Sequence, residues 1–381
     1  MRHFDTIVVG TGGMGSAALY HLATRGARVL GIDRFPCAHD RGSSHGHTRL
    51  IRLAYFEHPD YVPLLRRAYQ LWRELEQTSV RPLLVESGLV TAGPPAGHVV
   101  AGLLASAATH SLPVERLSVP EAARRYPGLR LAEDWEIAFE ACAGYLFVEE
   151  CVRAHTNLAV NAGAELEYGA AVRRWRADSS GVVVETDRES FTAGSLVLAS
   201  GAWTVDLLQV AGLGLEVLRK ALFWYRPEAS HANLYAAGTL PCFAFDTPTG
   251  FFYGFPSLDN RGVKVAEHTG GRVIADPLSV DRTLDQQEQA RVEEVIASHL
   301  PGVGREMSGH AHCLYTMSPD GHFALGLHPE HSRVAIAAGF SGHGFKFASV
   351  IGEILADLAL SGTTQHPIGF LSPQRFSRQT V

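Results

Sequence analysis

Apolar residues first gather in a short run from Thr6 to Val9, followed by a glycine-rich turn, a helix-like segment reaching Gly26, and a second apolar run closing on Asp33. Run, turn, helix and run together predict a βαβ unit. From Asp60, the residues Val62, Leu65, Ala68, Tyr69, Trp72 and Leu75 recur at three and four spacing. This predicts an amphipathic helix capped by Asp60, with Pro63 in its first turn. Between Arg81 and about Glu140, short strand-like runs (LLVESGLVTAG) mix with a helix near Leu103 to Ala108. A helix is then predicted from Val148 to Ala162, a small β-meander over VRRWRA and GVVVETDRESF, and a buried strand from Ser195 that ends in Gly201. From about Leu215 to Leu314 the chain is strand-rich (ALFWYRP, CFAFD, GFFYGFP, GVKVAEH), with a helix from Leu284 to His299. The last stretch gives a strand to Ala338, a glycine-rich turn, and a helix to about Leu360 that Gly362 stops.

The N-terminal unit, the Ser195 strand and the C-terminal unit share one α/β style, and the sheet-rich stretches between them do not. The expectation is an α/β fold, α+β over the whole chain, in which a discontinuous Rossmann-like dinucleotide domain receives an inserted mixed-sheet substrate domain. The first would comprise residues 1–80, 145–214 and 320–381, the second 81–144 and 215–319. Ligand chemistry would sit between them.

The glycines of the first turn carry a dinucleotide fingerprint. Gly10 permits the tight turn, Gly12 lets the backbone approach a pyrophosphate, and Gly15 allows close helix packing. The pyrophosphate would rest on the helix N-terminus. Asp33 is placed to accept a ribose hydroxyl, and its charge disfavours a 2′-phosphate. FAD or NAD is therefore favoured over NADP, and the motif alone does not separate the two.

Composition narrows this further. The 381 residues are 46% hydrophobic and 19% charged, and carry a formal charge of -6 with no basic run, which argues against a nucleic-acid partner. No stretch of about eighteen apolar residues is present, so no membrane span is expected. The N-terminal run does not read as a signal peptide. Five cysteines (Cys37, Cys142, Cys151, Cys242, Cys313), odd in number and without CxxC spacing, suggest thiols in a reducing cytoplasm.

Three segments could carry chemistry. Arg34 to Arg52, rich in glycine, serine, histidine and arginine, reads as an irregular loop feeding a short helix, able to offer hydrogen bonds and positive charge to an anionic cofactor or simply to cover the surface. Cys313 sits in HAHCLYTMSPDGHF, where His310, His312 and Cys313 raise a metal reading, although strand alternation splits them between faces. From its residues alone Cys313 reads as a buried structural thiol. Lys346, in the turn Gly339 to Phe347, and Lys264, between valines on a strand, would either meet an anion or a polar cavity or snorkel to the surface.

The segments GSSHGHTRLIR, FYGFP, KVAEHTGG, CLYTMSPD and AAGFSGHGFKF, in this order and spacing, resemble monomeric sarcosine oxidases and N-methyltryptophan oxidases of the D-amino-acid-oxidase-like flavoproteins, nearly end to end. The resemblance implies FAD, joined covalently through its 8α-methyl to Cys313. It implies that Arg52 and Lys346 clamp a substrate carboxylate, and that Lys264, on the other flavin face, promotes reaction with oxygen. Thr48, Arg49, Tyr253, His268, Tyr315 and Gly342 fall on the family's active-site positions. Cofactor contacts are expected from Gly10, Gly12, Gly13, Gly15, Asp33, Arg34, Ser43, Thr48, Arg49, Val172, Gly201, Trp203, Gly342, His343, Gly344, Phe345 and Lys346. The implied reaction oxidises a secondary amino acid to an imine, releases formaldehyde after hydrolysis when the group was N-methyl, and turns oxygen into hydrogen peroxide. A monomer is expected. Departures from the pattern are Ala244 where a pocket methionine stands, Glu267 beside His268 in place of an aromatic, and Ser44, His47 and Phe56. Ala244 would enlarge the pocket and favour a bulkier N-methyl or a cyclic substrate over sarcosine.

Overall fold

The computed structural model describes residues 1–208, 210 and 213–377. Parallel strands Glu165–Tyr168, Val29–Asp33, Arg2–Val9, Ser190–Leu198 and Val334–Ala338 lie side by side in that order. Ala324–Leu327 adds an antiparallel edge, and the meander Val172–Asp178 and Gly181–Thr186 pairs onto the first half of Ser190–Leu198. Strands this apolar on both faces need cover on both sides. Helices Gly13–Thr24 and Ala348–Ser361 provide it on one face. They cross in contact at Gly352, where an added Cβ would lie 2.4 Å from that of Ala17.

A second sheet of nine strands includes Glu216–Pro227, Cys242–Thr247, Gly250–Phe255, Val263–Glu267 and Val303–Met317. Side chains alternate across it. Phe243, Phe245, Phe252, Val263 and Val265 pack on one face with Val292, Val295 and Ile296 of the helix Gln286–His299. Ala244, Tyr253, Phe255, Ala266, Cys313 and Tyr315 form the opposite layer. A third, three-stranded sheet joins Thr48–Ile51, Gly144–Phe147 and Leu84–Val85. The strands assigned by sequence to the dinucleotide part fall in the first sheet, and the strand-rich runs in the second.

Several local expectations change. The segment after Asp33 feeds the strand Thr48–Ile51 rather than a helix, because Gly144–Phe147 offers it a backbone ladder. Asp60 is not a helix cap: it lies in a 3-10 turn, Pro59–Tyr61, capped by His58, and the helix proper is Val62–Gln77. The helix foreseen near Leu103 is longer, His98–His110, and the one foreseen from Leu284 starts at Gln286, where the Asp285 side chain accepts from the amides of Gln287 and Glu288. Gly362, in the left-handed conformation, does terminate the last long helix.

Candidate active site

The strand Arg2–Val9 ends in Gly10 (φ +86), where a Cβ would stand 2.5 Å from the Ala199 carbonyl oxygen. A Cβ on Gly15 would lie 1.7 Å from the Gly10 oxygen, so the helix begins hard against the end of the strand. Gly15 thus acts beneath the cleft rather than on its wall. A Cβ on Gly12 would meet only Ser44 Oγ, at 3.6 Å, and the same oxygen accepts from the Gly13 amide (3.1 Å), so the Ser44 hydroxyl stands at the helix N-terminus where an anion would rest. Asp33 faces the same cleft and also braces it: its Oδ2 accepts from the Thr11 amide (2.7 Å) and hydroxyl (3.2 Å), and its Oδ1 from the Phe35 amide (2.9 Å).

From this turn one elongated cleft runs past Arg34, Ser43, Arg49, Val172, Gly201 and Trp203 to Tyr253, His268, Tyr315 and the turn Gly342–Lys346. The buried Trp203 Nε1 has no partner. An open glycine turn, an acid at the second strand and an unpaired indole donor fit a dinucleotide as long as FAD.

The far end of the cleft is cationic. Burial and the neighbouring Arg52 charge push the Lys346 ammonium well below its usual range. Its Nζ donates to the His343 carbonyl (2.7 Å) and to Tyr55 Oη (3.3 Å). Arg52 Nη2 donates to both oxygens of Glu57 (2.8 and 2.6 Å). Burial opposes ionisation of Glu57, but the charge of Arg52, which donates to both of its oxygens, holds its carboxyl down to about 2. Neither lysine of interest snorkels. Glu57 and Tyr55 were not anticipated from sequence; an acid five residues beyond Arg52 was the one local signal.

On the other side, Lys264 Nζ is buried and donates to the carbonyls of Gly46 (2.7 Å) and Thr48 (2.9 Å) and to Thr48 Oγ1 (3.2 Å). It sits 4.8 Å from the Phe255 ring centroid and 5.5 Å from that of Trp224. Burial, reinforced by Arg49, depresses its pKa strongly. Arg49 itself is held by the carbonyls of Thr48 and Ser43, both at 2.9 Å. Burial keeps His268 neutral, with a pKa of about 3, and its Nδ1 is 3.5 Å from Tyr315 Oη.

Thr48, Lys264, Ala244 and Cys313 lie behind the cleft wall. Cys313 is fully buried two residues before Tyr315 on the same strand, in the apolar layer those two share with Tyr253. Ala244 stands opposite Tyr253 across a strand pair. Glu267 does not face the pocket: it points away from His268 and pairs with Arg291 on the helix Gln286–His299 (2.5 and 2.8 Å). Among the described residues no group of three potential metal ligands is gathered.

The model of the FAD-dependent oxidoreductase (DAO) family matches residues 5–358. The chain belongs to this family. A monomeric sarcosine oxidase from Streptomyces avermitilis is 42% identical over 98% of both chains. An N-methyl-L-tryptophan oxidase from Salmonella dublin is 35% identical over 98% of this chain and 99% of its own. The solved structure of NikD, an unusual amino acid oxidase essential for nikkomycin biosynthesis, superposes with a TM-score of 0.86 at 29% identity, covering 98% of each chain. As a member of the DAO family the chain is an FAD-dependent oxidoreductase.

Proposed function

We propose that this DAO-family enzyme oxidises secondary amino acids, N-methyl or cyclic, to imines with oxygen as acceptor, forming hydrogen peroxide. The observation that carries the proposal is the pair of buried basic side chains, Arg52 and Lys346, at one end of a cleft whose other end is the dinucleotide turn. Arg52 and Lys346 would hold the substrate carboxylate, since charge-assisted bonds from two directions fix both position and orientation. Tyr253, His268 and Tyr315 would wall the amine end. FAD, when bound, supplies the two-electron acceptor. Glycine amides at Gly12 and Gly13 would hold its pyrophosphate, and Asp33 its ribose. Lys264 would place positive charge where oxygen is reduced.

We further propose that the flavin is joined to Cys313, which the burial of this thiol on the Tyr315 face supports. The short Ala244 side chain beside Tyr253 supports a preference for larger N-substituents than that of sarcosine. A division into a flavin part and an inserted substrate part is supported by the two separate large sheets. Work as a monomer in the cytoplasm is supported by five unbridged cysteines and by the word "monomeric" in several relatives' names.

The test is oxygen uptake with peroxide detection across a panel of secondary and primary amino acids. Uptake with matching peroxide, and a higher kcat/KM for bulky N-methyl or cyclic substrates than for sarcosine, is expected. Anaerobic bleaching of the flavin without oxygen uptake would make the protein a dehydrogenase. No bleaching by any secondary amino acid would overturn the substrate class.

A further inference from the structure

The proposed carboxylate clamp is backed by two side chains that the reaction itself does not require, and their hydrogen bonds have only one consistent direction. His343 Nε2 lies 3.1 Å from the Gly321 carbonyl oxygen, which can only accept. The proton of the imidazole therefore sits on Nε2. The ring is neutral: burial pushes its pKa down to about 4. His343 Nδ1 is then an acceptor, and its partner at 2.7 Å is the hydroxyl of Tyr55. The other neighbour of this hydroxyl on His343, the carbonyl oxygen 3.2 Å away, is also an acceptor, so the one proton of Tyr55 goes to His343 and its Oη can offer only lone pairs to Lys346 Nζ, 3.3 Å away. The second contact of Nζ, the His343 carbonyl, is likewise an acceptor.

Tyr55 also touches the other arm of the clamp. Its ring lies 4.6 Å from Arg52 Cζ and 5.1 Å from Lys346 Nζ, and the residue is completely buried. A tyrosine hydroxyl free to turn would donate to a neutral lysine amine and stabilise that form. With its proton engaged by His343 it favours the ammonium, whose third N–H is left for an anion.

We propose that His343 and Tyr55 are positioning residues that hold Lys346 as a carboxylate-binding ammonium, through a directed chain from Gly321 O to His343, Tyr55 and Lys346. The inference rests on Lys346 being one arm of the clamp, and it adds that the selectivity of that arm for an anion is set by the tautomer of His343.

The test uses the holoenzyme and isothermal titration of two ligands with no oxidisable C–N bond, furan-2-carboxylate and furan-2-carboxamide. Tyr55→Phe keeps the ring and loses only the hydroxyl. It is expected to lower the preference for carboxylate over carboxamide at least tenfold, with carboxamide affinity and the flavin spectrum unchanged. His343→Leu should have a similar effect, and the double variant should be no worse than either alone, because both cut the same chain. Equal weakening of both ligands, or additive losses in the double variant, would overturn the proposal by making the residues mere packing. An unchanged preference in Tyr55→Phe, alongside a collapsed one in Lys346→Met, would overturn the chain and leave the clamp standing. A preference that survives Lys346→Met would remove the clamp and the proposal with it.

Discussion

Replacing Glu57 by glutamine changes the charge balance at the cationic end of the cleft without removing bulk. Glu57 carboxylate occupies Arg52 Nη2 with both oxygens, so under the proposed clamp a substrate carboxylate would compete for that guanidinium. The fall of the Glu57 carboxyl from its ordinary 4.5 to about 2 corresponds to ~3 kcal/mol of net favourable interaction in the folded protein. Because the folded value is depressed, that contribution is fully present above pH 4.5 and disappears as the pH falls through about 2. Glu57→Gln should therefore lose up to ~3 kcal/mol of stability at neutral pH and flatten the acid limb of the stability profile. The same variant frees Arg52 for a ligand. If about half of the lost interaction returns to a bound carboxylate, Kd for furan-2-carboxylate falls by roughly tenfold, since ~1.4 kcal/mol is one decade. Titration calorimetry and denaturant unfolding read the two effects separately. Unchanged stability together with unchanged or weaker carboxylate binding would refute the competition argument and make Glu57 a support that merely shapes Arg52.

Three further outcomes are expected. Lys264→Met should slow reoxidation of reduced flavin far more than its reduction by substrate in stopped-flow, and equal slowing of both half-reactions would remove Lys264 from the oxygen side. Acid precipitation should leave the yellow colour in the pellet for the native protein and release it in Cys313→Ser; colour in the supernatant for both would show that the flavin is not held by this thiol. His155 and His21, buried with an unpartnered ring nitrogen each, are pushed down to about 3 and about 4 by burial. The unfolded chain binds protons that these rings refuse, so stability should fall by about 1.4 kcal/mol per pH unit for each as the pH drops from 6.5 toward 4. His155→Leu should reduce the slope of Tm against pH over that range; an unaltered slope would exclude this ring as a source.

What could be read from sequence was local in origin. The turn from Gly10 to Gly15 announces itself because glycine spacing, a strand and a helix all lie within thirty or so residues, and the turn at Gly342–Lys346 repeats that situation near the other end. What escaped reading depends on partners brought by the fold. Thr48–Ile51 becomes a strand because Gly144–Phe147 lies alongside, and nothing within the loop itself says so. Tyr55 draws its meaning from His343, and Asp60 lost its capping role to a 3-10 turn set by His58 and Pro59. Glu267 was within reach of simple parity: Lys264, Ala266 and His268 share one face of their strand, so Glu267 had to look the other way, toward Arg291.

The contact between Gly352 and Ala17 has a bearing on how the molecule is made. The helix that opens the dinucleotide turn, Gly13–Thr24, leaves the ribosome long before the helix that covers it, Ala348–Ser361. Its strand Arg2–Val9 waits similarly for Ser190–Leu198. The nascent dinucleotide turn therefore stays incomplete until that later helix has been made, and cofactor capture has to wait for it. Removing the helix Ala348–Ser361 should consequently yield protein without flavin, however intact its fingerprint.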